Sequence, residues 1–136
     1  MPPRLALHFR REKVAQMYNF LYFCTMKKKI IAFGDYFYDF MRKLPERAKD
    51  KIGRALLLLE TEDKIPYHYI KYIRDGLYEF RVSLGNNEYR LFFIYDGEVL
   101  VILLNCFQKK SQKTPKAEID KALRLKKEYY EQKEGL

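Results

Sequence analysis

Arg81 and Arg90 are the side chains in this sequence best suited to chemistry, and the group they suit is a phosphate. A guanidinium is planar, donates in a bidentate fork to phosphate oxygens and stays charged at any working pH. Both arginines lie in segments that read as neighbouring strands of one hairpin, which could aim them at one point. Lys109 and Lys110 end a third such segment, and Lys113 and Lys116 extend the basic run. A lysine crowded by other cations gives up its proton more easily, because like charge disfavours the protonated form. Lys109 or Lys110 could then serve as acid or base while the arginines hold a scissile phosphate. In RNA such cleavage needs no metal. The 2′-hydroxyl attacks phosphorus, the dianionic phosphorane is neutralised, and the 5′-oxygen leaves with a proton.

Each of these residues also has a plainer role open to it. Arg81 could be a solvated strand residue, and Arg90, with apolar neighbours, a structural ion-pair partner. The lysines of 109–116 could form a solvated loop instead of an edge that grips RNA phosphates. Phe107 could stack on a base, worth about 1–3 kcal/mol, or fill the core. Glu79 could be a base or the ion-pair partner of a neighbour, and His68 sits in a tyrosine-rich stretch from which it could approach the same site. Two histidines (His8, His68) and two cysteines (Cys24, Cys106) leave almost no material for a histidine zinc site, a Ser-His-Asp triad or a disulfide framework. No metal and no cofactor are therefore expected.

Convergence of these side chains depends on the elements that carry them. Residues 28–34 read as a short first strand. Asp35 could cap a helix with Phe37, Phe40, Met41 and Leu44 at helical spacing, which Pro45 ends while suiting the first turn of the next. In that second helix Ala48, Ile52, Ala55, Leu56 and Leu59 form the apolar stripe, with Lys49, Lys51 and Arg54 pointing elsewhere. The stretch 65–75, rich in tyrosine and carrying Pro66, reads as irregular. From Leu77 the period becomes two: Tyr78, Phe80, Val82 and Leu84 face one way, Glu79, Arg81 and Ser83 the other. A turn at Gly85, Asn86 and Asn87 leads to a strand around 89–95, and Asp96-Gly97 carries the strongest signal for a type I′ hairpin turn. The aliphatic run 99–104 suits a central strand covered on both faces. Thr114-Pro115 reads as an N-cap and first helical residue, with Glu118 and Asp120 near the positive end of the last helix. The expected fold is α+β: an N-terminal strand and helical hairpin packed on a mainly antiparallel sheet, with a C-terminal helix.

Ordered pieces of 75–121 resemble a known family. They are Gly76-Leu77-Tyr78-Glu79-Phe80-Arg81, then Tyr89-Arg90-Leu91-Phe92-Phe93, then Leu103-Leu104-Asn105-Cys106-Phe107-Gln108-Lys109-Lys110 and Gln112-Lys113-Thr114-Pro115 through Glu118-Ile119. Together they resemble the HigB-like, phage-related branch of the RelE/ParE superfamily of toxins, over roughly residues 28–127. The resemblance implies a type II toxin–antitoxin module whose toxin is a metal-independent mRNA endoribonuclease acting on mRNA and the ribosome. It implies a cognate antitoxin, of helix-turn-helix type, as partner. By the same resemblance Arg81, Arg90 and one of Lys109 and Lys110 match basic positions used by RelE-type nucleases. The sequence departs from that pattern in two places: Glu79 stands where RelE has a basic residue, and no tyrosine matches the one in its last helix. Both departures keep open a non-catalytic basic RNA- or ribosome-binding module, and gyrase inhibition occurs on the same fold in ParE.

Length and charge agree with one small domain that binds a polyanion. The 136 residues suit a single domain, 48% are hydrophobic, and the net charge is +9. Residues 30–104 carry eleven basic groups against twelve acids, so the excess sits at the two ends. A basic excess is the footprint of a nucleic-acid partner or a solubilising surface. Residues 1–25 are read as an extension outside the family resemblance, with Met26 a natural start and 26–136 the toxin domain. The apolar stretch 17–26 is short and is followed by no cleavage pattern, so a cytoplasmic location is expected and no membrane partner.

Overall fold

A computed structural model of the protein describes residues 27–110 and 113–135. Along the chain come β1 (Lys29–Ala32), α1 (Tyr36–Arg42), α2 (Glu46–Thr61), a 3-10 turn (Tyr67–Tyr69), β2 (Ile70–Arg74), β3 (Leu77–Leu84), β4 (Asn87–Asp96), β5 (Leu100–Lys109) and α3 (Lys116–Glu134). The strands form one sheet in the order β1-β5-β4-β3-β2. β1 lies parallel to β5 and the other pairs are antiparallel. The expected α+β class is what the chain adopts.

Both faces of the sheet are covered, which explains why its middle strands read as unbroken apolar runs. On one face Phe37 and Met41 of α1 and Ile52, Leu56 and Leu59 of α2 pack on Phe80, Leu91, Phe93 and Leu103. On the other, Ala122 and Leu125 of α3 pack on Leu77, Phe92, Ile94, Ile102 and Leu104. Each fully buried Leu, Ile or Phe contributes roughly 1.5–3 kcal/mol of transfer free energy, so these two layers supply most of the drive to fold. An extra residue in β5, between its partners for Leu91 and Phe93, makes a bulge beside Asn105.

Four local expectations need correction. The stretch 65–75 is ordered: Tyr67–Tyr69 form the 3-10 turn and Ile70–Arg74 an edge strand. Its pattern was hidden because an edge strand buries only Ile70 and Ile73 in part, leaving no clean alternation. The hairpin turn with positive φ at both central residues is Asp75-Gly76 (φ 53° and 77°), between β2 and β3. At Asp96-Gly97 only the glycine has positive φ (74°), and a three-residue loop joins β4 to β5. Thr114 does not cap α3, whose N-cap position is Pro115 without a side-chain cap; its hydroxyl is used elsewhere. Asp35 does stand at the N-cap of α1, but it too makes no side-chain cap, and Pro45 is the N-cap of α2.

Among the described residues no helix is long and apolar enough to cross a membrane. The expectations for residues 1–25, the start at Met26, the apolar stretch 17–26, His8 and Cys24 lie outside the described residues.

Candidate functional site

The register of three strands sets out the charges in rows. Glu79 lies opposite Lys71 of β2 and Phe92 of β4. In the next row Arg81 faces Arg90, which faces Phe107 of β5. In the third, Ser83 faces Glu88, which faces Lys109. Alternation along each strand puts all of these on one face of the sheet.

Two arginines directly opposite each other repel, and this pair is held by Glu79. The Glu79 side chain is 0% exposed, with Oε1 3.4 Å from Arg81 Nε and 3.7 Å from Arg90 Nε. These are ion-pair contacts without hydrogen-bond geometry, so all three buried atoms keep unused hydrogen-bonding capacity. The other oxygen, Oε2, accepts a hydrogen bond of 3.0 Å from Thr114 Oγ1. The Thr114 hydroxyl thus ties the loop before α3 to the arginine pair.

The two arginines are not equivalent. Arg90 has a side chain only 6% exposed, and its Nη1 donates to Glu88 Oε1 and to the Tyr89 carbonyl, both at 3.1 Å. Arg81 is 33% exposed and has Glu79 as its ion-pair partner. Arg90 is the anchor; Arg81 is the one with reach.

Charge chemistry follows from this packing. The Glu88 carboxyl is held below its ordinary value by a hydrogen bond from Ser83, with burial opposing and the Arg90 and Arg81 cations assisting. The Lys109 ammonium is shifted down, first by burial and then by the Arg90 cation. Glu79 works against that shift while Arg81 and Lys71 add to it. Crowding by cations is thus present, as the sequence suggested, but desolvation is the larger cause.

A cleft of about 350 Å³ opens beside these rows. It lies at the edge of the sheet, because β2 pairs with β3 only as far as Phe80. Arg81, Ser83, Glu88 and Arg90 line it from the sheet, and Lys51 of α2 with His68 and Tyr69 of the 3-10 turn line it from beyond.

The structure brings Arg81 and Arg90 together at the cleft and Lys109 into their electrostatic neighbourhood. Phe107 is half-buried, with its ring 5.6 Å from that of Phe92 in the layer under α3. Lys110 and Lys113 are exposed, and exposed Lys116 pairs with Asp120 at 3.0 Å. Sequence reasoning passed over Lys51, Tyr69, Ser83, Glu88 and Thr114. Ser83 and Glu88 could have been found, since they share the alternation phase of Arg81 and Arg90. Lys51 and Tyr69 carried no such signal. Among the described residues no group of three His, Cys, Asp or Glu side chains is placed to hold a metal ion.

Residues 39–127 match the family described as phage derived protein Gp49-like (DUF891). The chain belongs to that family. The matched stretch runs from within α1 to within α3, so every row of charges and the whole cleft fall inside the Gp49-like portion. β1 lies outside it. No curated protein matches the chain.

Proposed function

We propose that this Gp49-like protein is a HigB-like toxin of the RelE/ParE superfamily, part of a type II toxin–antitoxin module, and that it cleaves mRNA without a metal. Membership of a phage-derived family supports a toxin-like module at the coarse level. The observation that carries the nuclease reading is the Arg81–Arg90 pair facing across β3 and β4 beside a cleft, with Glu79 buried between them.

Arg81 swings from Glu79 onto a non-bridging phosphate oxygen and neutralises charge that grows as the 2′-oxygen bonds to phosphorus. Arg90 stays on Glu79 and Glu88 and holds the frame rigid. As the bond from phosphorus to the 5′-oxygen breaks, Lys109 supplies the proton, which burial and neighbouring cations make easier to release. Glu88, the ionised acceptor lining the cleft, takes the proton that leaves the 2′-hydroxyl, and the hydrogen bonding that keeps it ionised makes it a weak base. Most of the rate would therefore come from phosphorane stabilisation by Arg81. The cytoplasm, ribosome-bound mRNA and a helix-turn-helix antitoxin complete this reading as the setting and partners of such a toxin.

The near-complete burial of Arg90 also favours a second reading, a basic module that binds RNA or ribosomes without cutting. Incubation of the purified chain with ribosomes and a defined mRNA separates the two. Arg81→Ala should lower cleavage by about 10²–10³-fold, the usual loss on removing one transition-state donor. Binding without cuts supports the second reading, and cuts undiminished in Arg81→Ala refute the first. Double-strand breaks in cellular DNA with intact mRNA point to gyrase.

A further inference from the structure

Three aromatic rings step outward from the core to the cleft. Phe80 is fully buried, and the Tyr69 ring stacks on it at 5.7 Å with planes 15° apart. The His68 ring follows on Tyr69 at 4.5 Å and 34°. His68 is exposed and lines the cleft with Lys51 and Arg81. An isolated surface histidine loses rotamer freedom when a ligand fixes it; this one is already backed by a stacked pair, so less is lost on binding.

We infer that the His68 ring is the platform on which one nucleobase of single-stranded RNA stacks, with its phosphate against Arg81 and Lys51. The inference rests on RNA being the ligand and assigns His68 no proton transfer. A cleft of about 350 Å³ is at the small end of the ~300–1,000 Å³ usual for ligand pockets, so it admits one unstacked nucleotide and excludes a duplex. Aromatic faces beside cations are how single strands are held, because every base offers a π-face to a ring and a phosphate to a charge. The platform therefore reads the presence of a base, not its identity.

Binding of labelled 2′-O-methyl RNA tests this with the full chain. That backbone cannot be cut, since the attacking oxygen is blocked. The parent should prefer a base-bearing strand over the same strand with abasic sites by about 5–160-fold, the range for one stacked base. His68→Ala should abolish the preference, His68→Phe should keep it, and neither should change the slope of affinity against salt. A preference that survives in His68→Ala, or a His68→Ala loss equal on both strands, overturns the platform. Cleavage of unmodified RNA is scored in parallel. A parent that prefers bases but does not cut sinks the nuclease reading and leaves the platform standing. A parent that cuts while His68→Ala keeps the base preference sinks the platform alone.

Discussion

Glu79→Gln should be among the most damaging single changes in this chain, even though it alters one atom. The amide keeps the volume of the carboxylate and can still accept from Thr114 Oγ1, so packing and that hydrogen bond survive. What goes is the negative charge buried between two arginines that face each other across β3 and β4. Removing one member of a buried charge cluster costs about 3–5 kcal/mol. Arg81, 33% exposed, can turn to water and recover part of that, whereas Arg90, 6% exposed, cannot. The lower end of the range is therefore expected, about 3 kcal/mol. Against a total of ~5–15 kcal/mol for a domain, that is a large share. At ~4 °C per kcal/mol, between the values for smaller and larger domains, Tm should fall by about 12 °C. Urea unfolding of parent, Glu79→Leu, Arg90→Met and Glu79→Leu/Arg90→Met closes the cycle, with Glu79→Gln measured beside them. The double variant should regain most of the loss, because apolar replacement of a buried ion pair is near neutral or stabilising. A Glu79→Gln loss below about 1 kcal/mol, the scale of an exposed ion pair, would refute the claim that this carboxylate holds the arginine pair.

Two further outcomes follow from the same contacts. Thr114→Val removes the hydroxyl that donates to Glu79 Oε2 at 3.0 Å, and should cost about 1.5–3 kcal/mol in urea unfolding, the range for a hydrogen bond to a charged group. A helix-capping role would instead predict that Thr114→Asp is neutral; here it should destabilise, because a second carboxylate meets Glu79. At the far end of α3, Asp96 accepts from Tyr129 Oη at 2.6 Å and from Lys133 Nζ at 2.8 and 2.9 Å, and these bonds hold its carboxyl below the ordinary 3.8. A depressed carboxyl adds stability that is fully present above its unfolded value and lost as pH falls through the lower folded value. The unfolding midpoint should therefore drop in acid below that 3.8, and Asp96→Asn should flatten this part of the profile; an unchanged profile would count against the latch.

The α+β class, the two helices after β1 and the interior position of β5 were legible because each rests on periodicity over many residues. Val82 and Arg81 could be assigned to opposite faces by counting twos, and the face of Arg81 was read correctly that way. β2 was not legible. Pro66 and the three tyrosines and three isoleucines in the stretch 65–75 give neither period, because an edge strand meets a neighbour on one side only. Losing β2 also concealed the Asp75-Gly76 turn and the placing of His68 and Tyr69 at the cleft. Local chemistry misled at Thr114-Pro115, where a residue suited to capping found a buried carboxylate instead. That competition is tertiary. No window of sequence around Thr114 contains Glu79.

The sheet face under α3 is divided, and the division accounts for why charges can be buried there at all. Towards one end Leu77, Phe92, Ile94, Ile102 and Leu104 are sealed by Ala122 and Leu125. Past Phe92 and Phe107 the same face turns to Glu79, Arg81 and Arg90, and α3 enters by way of Thr114 at that boundary. The bulge in β5 lies beside this border, where Asn105 Nδ2 donates to the Glu118 carbonyl at 3.0 Å and to its carboxylate at 2.9 Å. The start of α3 is thus tied to the sheet through Asn105 and through Thr114, and the Thr114 hydrogen bond ends on the carboxylate that aligns both arginines. Anything that lifts the first turn of α3 must release Thr114 from Glu79 and so loosen the arginines. A helix that seals the core at one end therefore sets the geometry of the charged cluster at the other.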